Sequence, residues 1–293
     1  MKTLICSMLL LACLVPATAG EKLNLLIIDG QNNHNWAAMT PIIKAALLKT
    51  ERFNVDVVTS PKNKAPDADW ATFRPDFAKY NVVLSNYNGK LWPKEVQASL
   101  EKYVSEGGGL VNIHAANNAF PEWGEWNKMI GLGWRGANFG DRLTVDADGK
   151  VVRTPKNEGP GAGHGAVHAF QILVRDPEHP VMKGMPQAWM HGADELYHGQ
   201  RGPAENMTIL ASAFSAKEKG GTGAHEPMVW VIPYGKGRVF TTVMGHVGGT
   251  ESIRCVGFQS VMARGAEWAA TGSVTLPLPA NFPTATSLSL EEK

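Results

Sequence analysis

The chain runs to 293 residues, with 28 basic and 27 acidic side chains and a formal net charge of +1. That even balance, without a basic stripe, argues against nucleic acid as a partner, and the length is enough for one large core. No stretch reaches the roughly 18 consecutive apolar residues of a membrane span.

Met1 to Ala19 reads as a cleaved export signal. Lys2 supplies the positive start, Leu4 to Val15 the apolar middle, and Ala17-Thr18-Ala19 the small-x-small cleavage site. Leu10-Leu11-Ala12-Cys13 loosely resembles a lipoprotein box, but cleavage there would leave a very short signal. A mature start near Gly20 and a periplasmic or secreted location are therefore expected. Cys6 and Cys13 fall in this segment, which leaves Cys255 without an internal disulfide partner and predicts a buried, inert thiol. The expected layout is a signal over 1–19, one domain over 20–276 and a flexible Pro-, Ser- and Thr-rich tail over 277–293.

Leu23 to Ile28 is a buried-strand run, followed by the polar loop Asp29 to Trp36, the usual place for ligand contacts in a parallel sheet. Thr40-Pro41 predicts the start of a helix reaching about Lys49. Phe53 to Val58 and Val82 to Ser85 are further strands. Pro93 to Glu106 carries Val96, Leu100, Tyr103 and Val104 at helical spacing. Gly107-Gly108-Gly109 stops that helix, and the short apolar strand after it ends at His114, beside two alanines too small to cover it. Open α/β sheets bind ligands at such strand tips, so His114 is placed for chemistry; the alternative is a ring that caps a turn.

A short helix then reaches Ile130. Ala137 to Gly165 is glycine-rich and without a period, a long loop or β-insertion folding over the sheet. Strands follow at Ala169 to Val174, Met207 to Ala213, Met228 to Ile232 and Arg238 to Met244, the last ending at Gly245-His246, and Ser252 to Ala270 is a closing helix. Strands alternating with helices predict an α/β fold with a largely parallel sheet and right-handed connections.

Nine histidines and nine tryptophans are the informative excess. His34, His114 and His246 follow strands or sit on polar loops, and Asp194-Glu195 is an acidic pair between His191 and His198. Converging imidazoles and carboxylates can bind a divalent ion, zinc or manganese, or act as acid and base. No His-Glu-x-x-His, Gly-x-Ser-x-Gly elbow or phosphate loop is present, which lowers the odds of a serine hydrolase or a nucleotide enzyme. His164 and His168 read as loop residues, His179 and His225 as structural.

Four stretches together resemble the trehalose-utilisation, or ThuA-like, family: Ile28 to His34, Gly107 to Ala116, Asp194 to His198, and Gly235-Lys236-Gly237-Arg238-Val239 through Gly245-His246. The resemblance spans about Leu23 to Gly272. It implies a flavodoxin-related, class I glutamine-amidotransferase-like three-layer sandwich with His114 at the turn where amidotransferases carry a nucleophilic cysteine, hence no amidotransferase activity. It also implies a place in sugar catabolism, notably of sugars oxidised at the third carbon. The resulting expectation is an exported enzyme acting on a small sugar, with His114 and Glu195 catalytic. Asn32, His34, Trp36, Asn117 and Tyr197 are assigned to substrate, and His34, Asp194 and His246 to a metal. The alternatives are a non-catalytic carbohydrate-binding protein stacking sugars on Trp36, Trp123 and Trp126, or an amidotransferase-like scaffold.

Overall fold

The computed structural model describes residues 21–248 and 251–292, so the expected signal over Met1 to Ala19 lies outside them. β1 (Leu23–Asp29) buries Leu25 to Ile28 completely, because helices cover both faces of the sheet. α1 (Trp36–Lys49) starts at Trp36 rather than at Thr40 as the sequence suggested. The Asn35 side chain caps it by accepting the Ala38 N–H at 3.1 Å, and that cap sets the start, leaving Pro41 inside the helix.

β2 (Phe53–Thr59), the short α2 (Asp67–Thr72) and β3 (Val82–Ser85) follow. α3 (Lys94–Ser105) faces the sheet with Val96, Leu100 and Val104, four residues apart. Gly107, at φ +128°, turns the chain into β4 (Gly109–Ile113). α4 (Gly124–Ile130) is followed by a β-insertion, as one of the two sequence readings had it: the hairpin β5 (Arg142–Val145) and β6 (Val151–Thr154), then the two-residue β7 (Gly163–His164). The remaining elements are β8 (His168–Val174), β9 (Ala188–Asp194), β10 (Tyr197–His198), β11 (Thr208–Phe214), β12 (His225–Tyr234), β13 (Gly237–Thr242) and α5 (Val256–Thr271).

The main sheet has the order β2-β1-β3-β4-β13-β12-β11-β8-β9. Its first five strands are parallel, each linked by a helical crossover or reached by a long return. From β13 onward the pairing is antiparallel. Helical crossovers stop after β4, and hairpin-length links such as Gly235 join the later strands, which only antiparallel pairing permits. Four antiparallel steps bring β9 back to the direction of β13. The carboxyl ends of β1, β4, β13 and β9 therefore share one edge.

Two expectations need correction. Trp123 and Trp126 are no sugar platforms: they are buried with Trp92 and Phe120, ring centroids 5.2 to 6.5 Å apart, in a packed aromatic layer. The tail from Pro277 does not leave the body. Met190 N–H donates to Thr284 O, Val256 N–H to Ser289 O and Glu291 N–H to Arg254 O, while Phe282 lies 5.6 Å from Trp189. Its apolar residues and backbone groups cover the edge of β9, which a proline-rich composition alone does not reveal. Among the described residues no helix is long and apolar enough to cross a membrane.

Candidate metal centre and active site

His114 begins a short 3-10 turn straight after β4, with φ at +47°, a strained conformation for a residue with a side chain. The ring is fully buried. Its Nδ1 lies 2.9 Å from Val243 O, and a carbonyl can only accept, so Nδ1 carries the proton and Nε2 presents a lone pair. One nitrogen therefore ties the turn to the end of β13, as the turn-capping reading had it, and the other faces Glu195.

Nε2 of His114 lies 3.7 Å from Oε2 of Glu195, and Nε2 of His34 lies 3.8 Å from the same oxygen. His246 Nε2 stands 3.6 Å from Oε1. The three rings are 4.7 to 5.5 Å apart. One donor atom from each of His34, His114, Glu195 and His246 falls within 4.8 Å of the others. Burial, together with the His114 and His246 rings, pushes the His34 imidazole down to about 3. Burial also lowers His114, against the opposing pull of Asp194, the Val243 carbonyl and Glu195. Three imidazoles and one carboxyl group at these spacings fit a divalent transition ion.

Asp194, expected as a ligand, is not a member of this set. Its oxygens face inward and accept from Ser252 Oγ (2.6 Å), Gly245 N (2.9 Å), Glu195 N (2.7 Å) and His246 N (3.3 Å), and the same carboxylate pairs with His191 Nε2 at 2.8 Å. Although burial opposes charge on both partners, the contact raises His191 and, with His114 and Ser252, lowers Asp194, so the two form an ion pair. Gly245, at φ +107° and with the Phe258 ring where a Cβ would stand, lets the chain pass close enough to be held this way. Asp194 thus ties the backbone of Glu195 to that of His246.

The other expected residues are placed as follows. The Tyr197 hydroxyl lies 3.3 Å from His114 Nε2 and 3.5 Å from His34 Nε2, and burial raises its pKa, keeping it protonated. Asn32 Oδ1 accepts the His34 N–H at 2.9 Å and the Asn88 amide at 3.1 Å, fixing the His34 loop. Asn117 is fully buried and donates to Gln200. Trp36 opens α1, half-buried. Cys255 is buried as expected, its sulfur accepting the Gly192 N–H at 3.1 Å.

Two residues at the site escaped the sequence reading. His164 comes from β7 of the insertion, and its Nε2 stands 3.6 Å from Glu195 Oε1. Trp134 sits with its ring 4.5 Å from Tyr197. Pairing of β7 with β10 brings His164 opposite Tyr197, but two-residue strands are too short to show any alternation.

A sheet that is parallel at its core, flanked by helices, with its polar groups gathered at one carboxyl edge, defines a flavodoxin-related, class I glutamine-amidotransferase-like protein. The chain belongs to the ThuA family, described as trehalose utilisation, whose sequence profile matches residues 24–269. A ThuA-like protein of Parabacteroides merdae is 43% identical, with a TM-score of 0.87 over 92% of this chain and 98% of that one. A ThuA-like protein of Bacteroides uniformis, at 17% identity, shares the fold with a TM-score of 0.55 over 89% and 96% of the two chains. No curated protein matches the chain.

Proposed function

We propose that the protein is an exported enzyme of carbohydrate catabolism that cleaves or isomerises an oxidised sugar, a 3-keto glycoside. A divalent zinc or manganese ion would be held by His34, His114 and His246 with Glu195. The observation that supports this reading is the donor set itself: four side chains offer ligand atoms within 4.8 Å of one another, and the His114 tautomer is already the ligating one. When bound, the ion would polarise the carbonyl at C3 as a Lewis acid. Export is supported by the charged, apolar and small-residue pattern of residues 1–19.

A ketone at C3 acidifies the proton at C2. With one Glu195 oxygen toward the ion, its other oxygen would serve as the base, and the side chain keeps 14% of its surface open to an incoming ligand. As the C2–H bond breaks, its electron pair forms an enolate across C2 and C3. Those electrons then restore the C3 carbonyl, form a C1–C2 double bond and expel the glycosidic oxygen from C1, which takes up the proton that Glu195 removed from C2. In the isomerising variant a proton is returned elsewhere on the enediol instead. The protonated Tyr197 hydroxyl is placed to donate to the oxygen that gains charge.

Metal analysis of the purified protein, coupled to a screen of 3-keto glycosides, tests the reading. One equivalent of zinc or manganese and turnover on at least one such glycoside are expected. His114→Ala should lose the metal and lower turnover by roughly 10²-fold or more. A protein without bound metal and without turnover on any keto glycoside would favour the non-catalytic sugar-binding alternative. N-terminal sequencing of the exported protein should find a start near Gly20.

A further inference from the structure

From the ring geometry beside the histidine cluster, we infer that Trp134 is a stacking platform for a pyranose ring. It would form a sugar subsite that the loop after α4 builds next to the histidine cluster. The inference rests on the reading of the site as a sugar site, and it concerns binding rather than chemistry.

Trp134 is half-buried, unlike the closed aromatic layer of Trp92, Trp123 and Trp126. Its ring meets Tyr197 at 4.5 Å and 68°, and His164 at 5.9 Å. His164 and Tyr197 lie nearly parallel, at 22° and 6.5 Å. These three rings form an aromatic corner, and the Tyr197 hydroxyl marks where the corner ends and the cluster begins. A pyranose resting its C–H face on Trp134 would turn its hydroxyl edge toward Tyr197 and Glu195. Apolar ring faces and polar rims suit such an arrangement.

The platform is held rigidly. Gly133 exchanges backbone bonds with Arg201, Trp134 N–H donates to Asn117 O, and Arg135 O accepts from Ala162 of the insertion. The buried Arg135 guanidinium donates to Asn118 O, Ala119 O, Trp134 O and Asn127 Oδ1. It therefore pins Trp134 to the turn that carries His114. The side chains of Asn33, Asn88 and Asn118 bond one another between the His34 and His114 loops. They offer uncharged donors and acceptors to sugar hydroxyls.

Titration calorimetry with trehalose and its 3-keto derivative, on wild-type, Trp134→Ala and Trp134→Phe proteins, tests the subsite. The alanine variant should bind about tenfold more weakly, a change of about 1.4 kcal/mol. Its metal content and melting temperature should match the wild type, and Trp134→Phe should recover most of the affinity. Equal affinity in Trp134→Ala, no rescue by phenylalanine, or wild-type protein that binds neither sugar would each overturn the inference. Loss of metal from Trp134→Ala would do so too, by making the residue structural. Trehalose lacks the C3 ketone that the reaction needs, so its binding is measured without turnover, and inactivity on keto glycosides, which would sink the proposed reaction, leaves this test intact.

Discussion

Crowding His34 against the His114 and His246 rings makes its charge state depend on its neighbours as well as on its burial. His34, held at about 3 by burial and by the neighbouring rings, is neutral in the fold but titrates near 6.5 once released. A group with a depressed folded pKa stabilises the protein above its unfolded value and loses that stabilisation as pH falls toward the folded one. His114 is shifted in the same direction by its burial. Metal-free protein should therefore melt at progressively lower temperature from about pH 6.5 down to about 3, and His34→Gln should flatten that slope. Thermal unfolding of both proteins across this range is the measurement; identical slopes would show that the cluster does not hold its rings neutral. At this scale the three histidines were readable from the chain, since each follows an apolar run that ends at a polar loop. Their partner was harder to identify. Asp194 and Glu195 are adjacent at a strand end, so their side chains point to opposite sides, and composition does not say which one faces the core.

Among the elements, the decisive joint is between the end of β9 and the turn after β13. Asp194 makes that joint by accepting the backbone N–H groups of Glu195, Gly245 and His246. Replacing it with Asn keeps the shape but leaves His191 without its counter-charge. Breaking a buried pair from one side costs about 3–5 kcal/mol, and losing a group that orients ligands lowers metal affinity about 10–100-fold. Asp194→Asn should show both effects, in denaturant unfolding and in zinc titration. Unchanged affinity would remove Asp194 from the positioning of the cluster. The element pattern itself was readable through β4, where helix and strand alternate, except for the six-residue α2, too short to show helical spacing. It was harder to read afterwards, because β7 and β10 are two residues long and because a strand's direction in the antiparallel half depends on tertiary pairing. The start of α1 was misplaced for a local reason: the Asn35 cap outweighs the proline signal.

Across the whole molecule, β13 lies in the middle of the sheet although it comes near the end of the chain, between β4 and β12. Parallel pairing with β4 closes the bond between His114 and Val243, 129 residues apart in sequence. Such long-range pairing pays its chain entropy before it gains contacts, so it forms late. His34 and His114 can thus be synthesised and folded into place while the cluster still lacks His246 and the strand that locks the His114 tautomer. The ion would then be acquired at the close of folding, as a seal on the finished sheet rather than as its nucleus. In refolding experiments zinc uptake should track the slowest phase, and a capture step that precedes closure of the sheet would contradict this order. A chain stalled before β13 is made would leave three of the four candidate ligands, His34, His114 and Glu195, without a complete site.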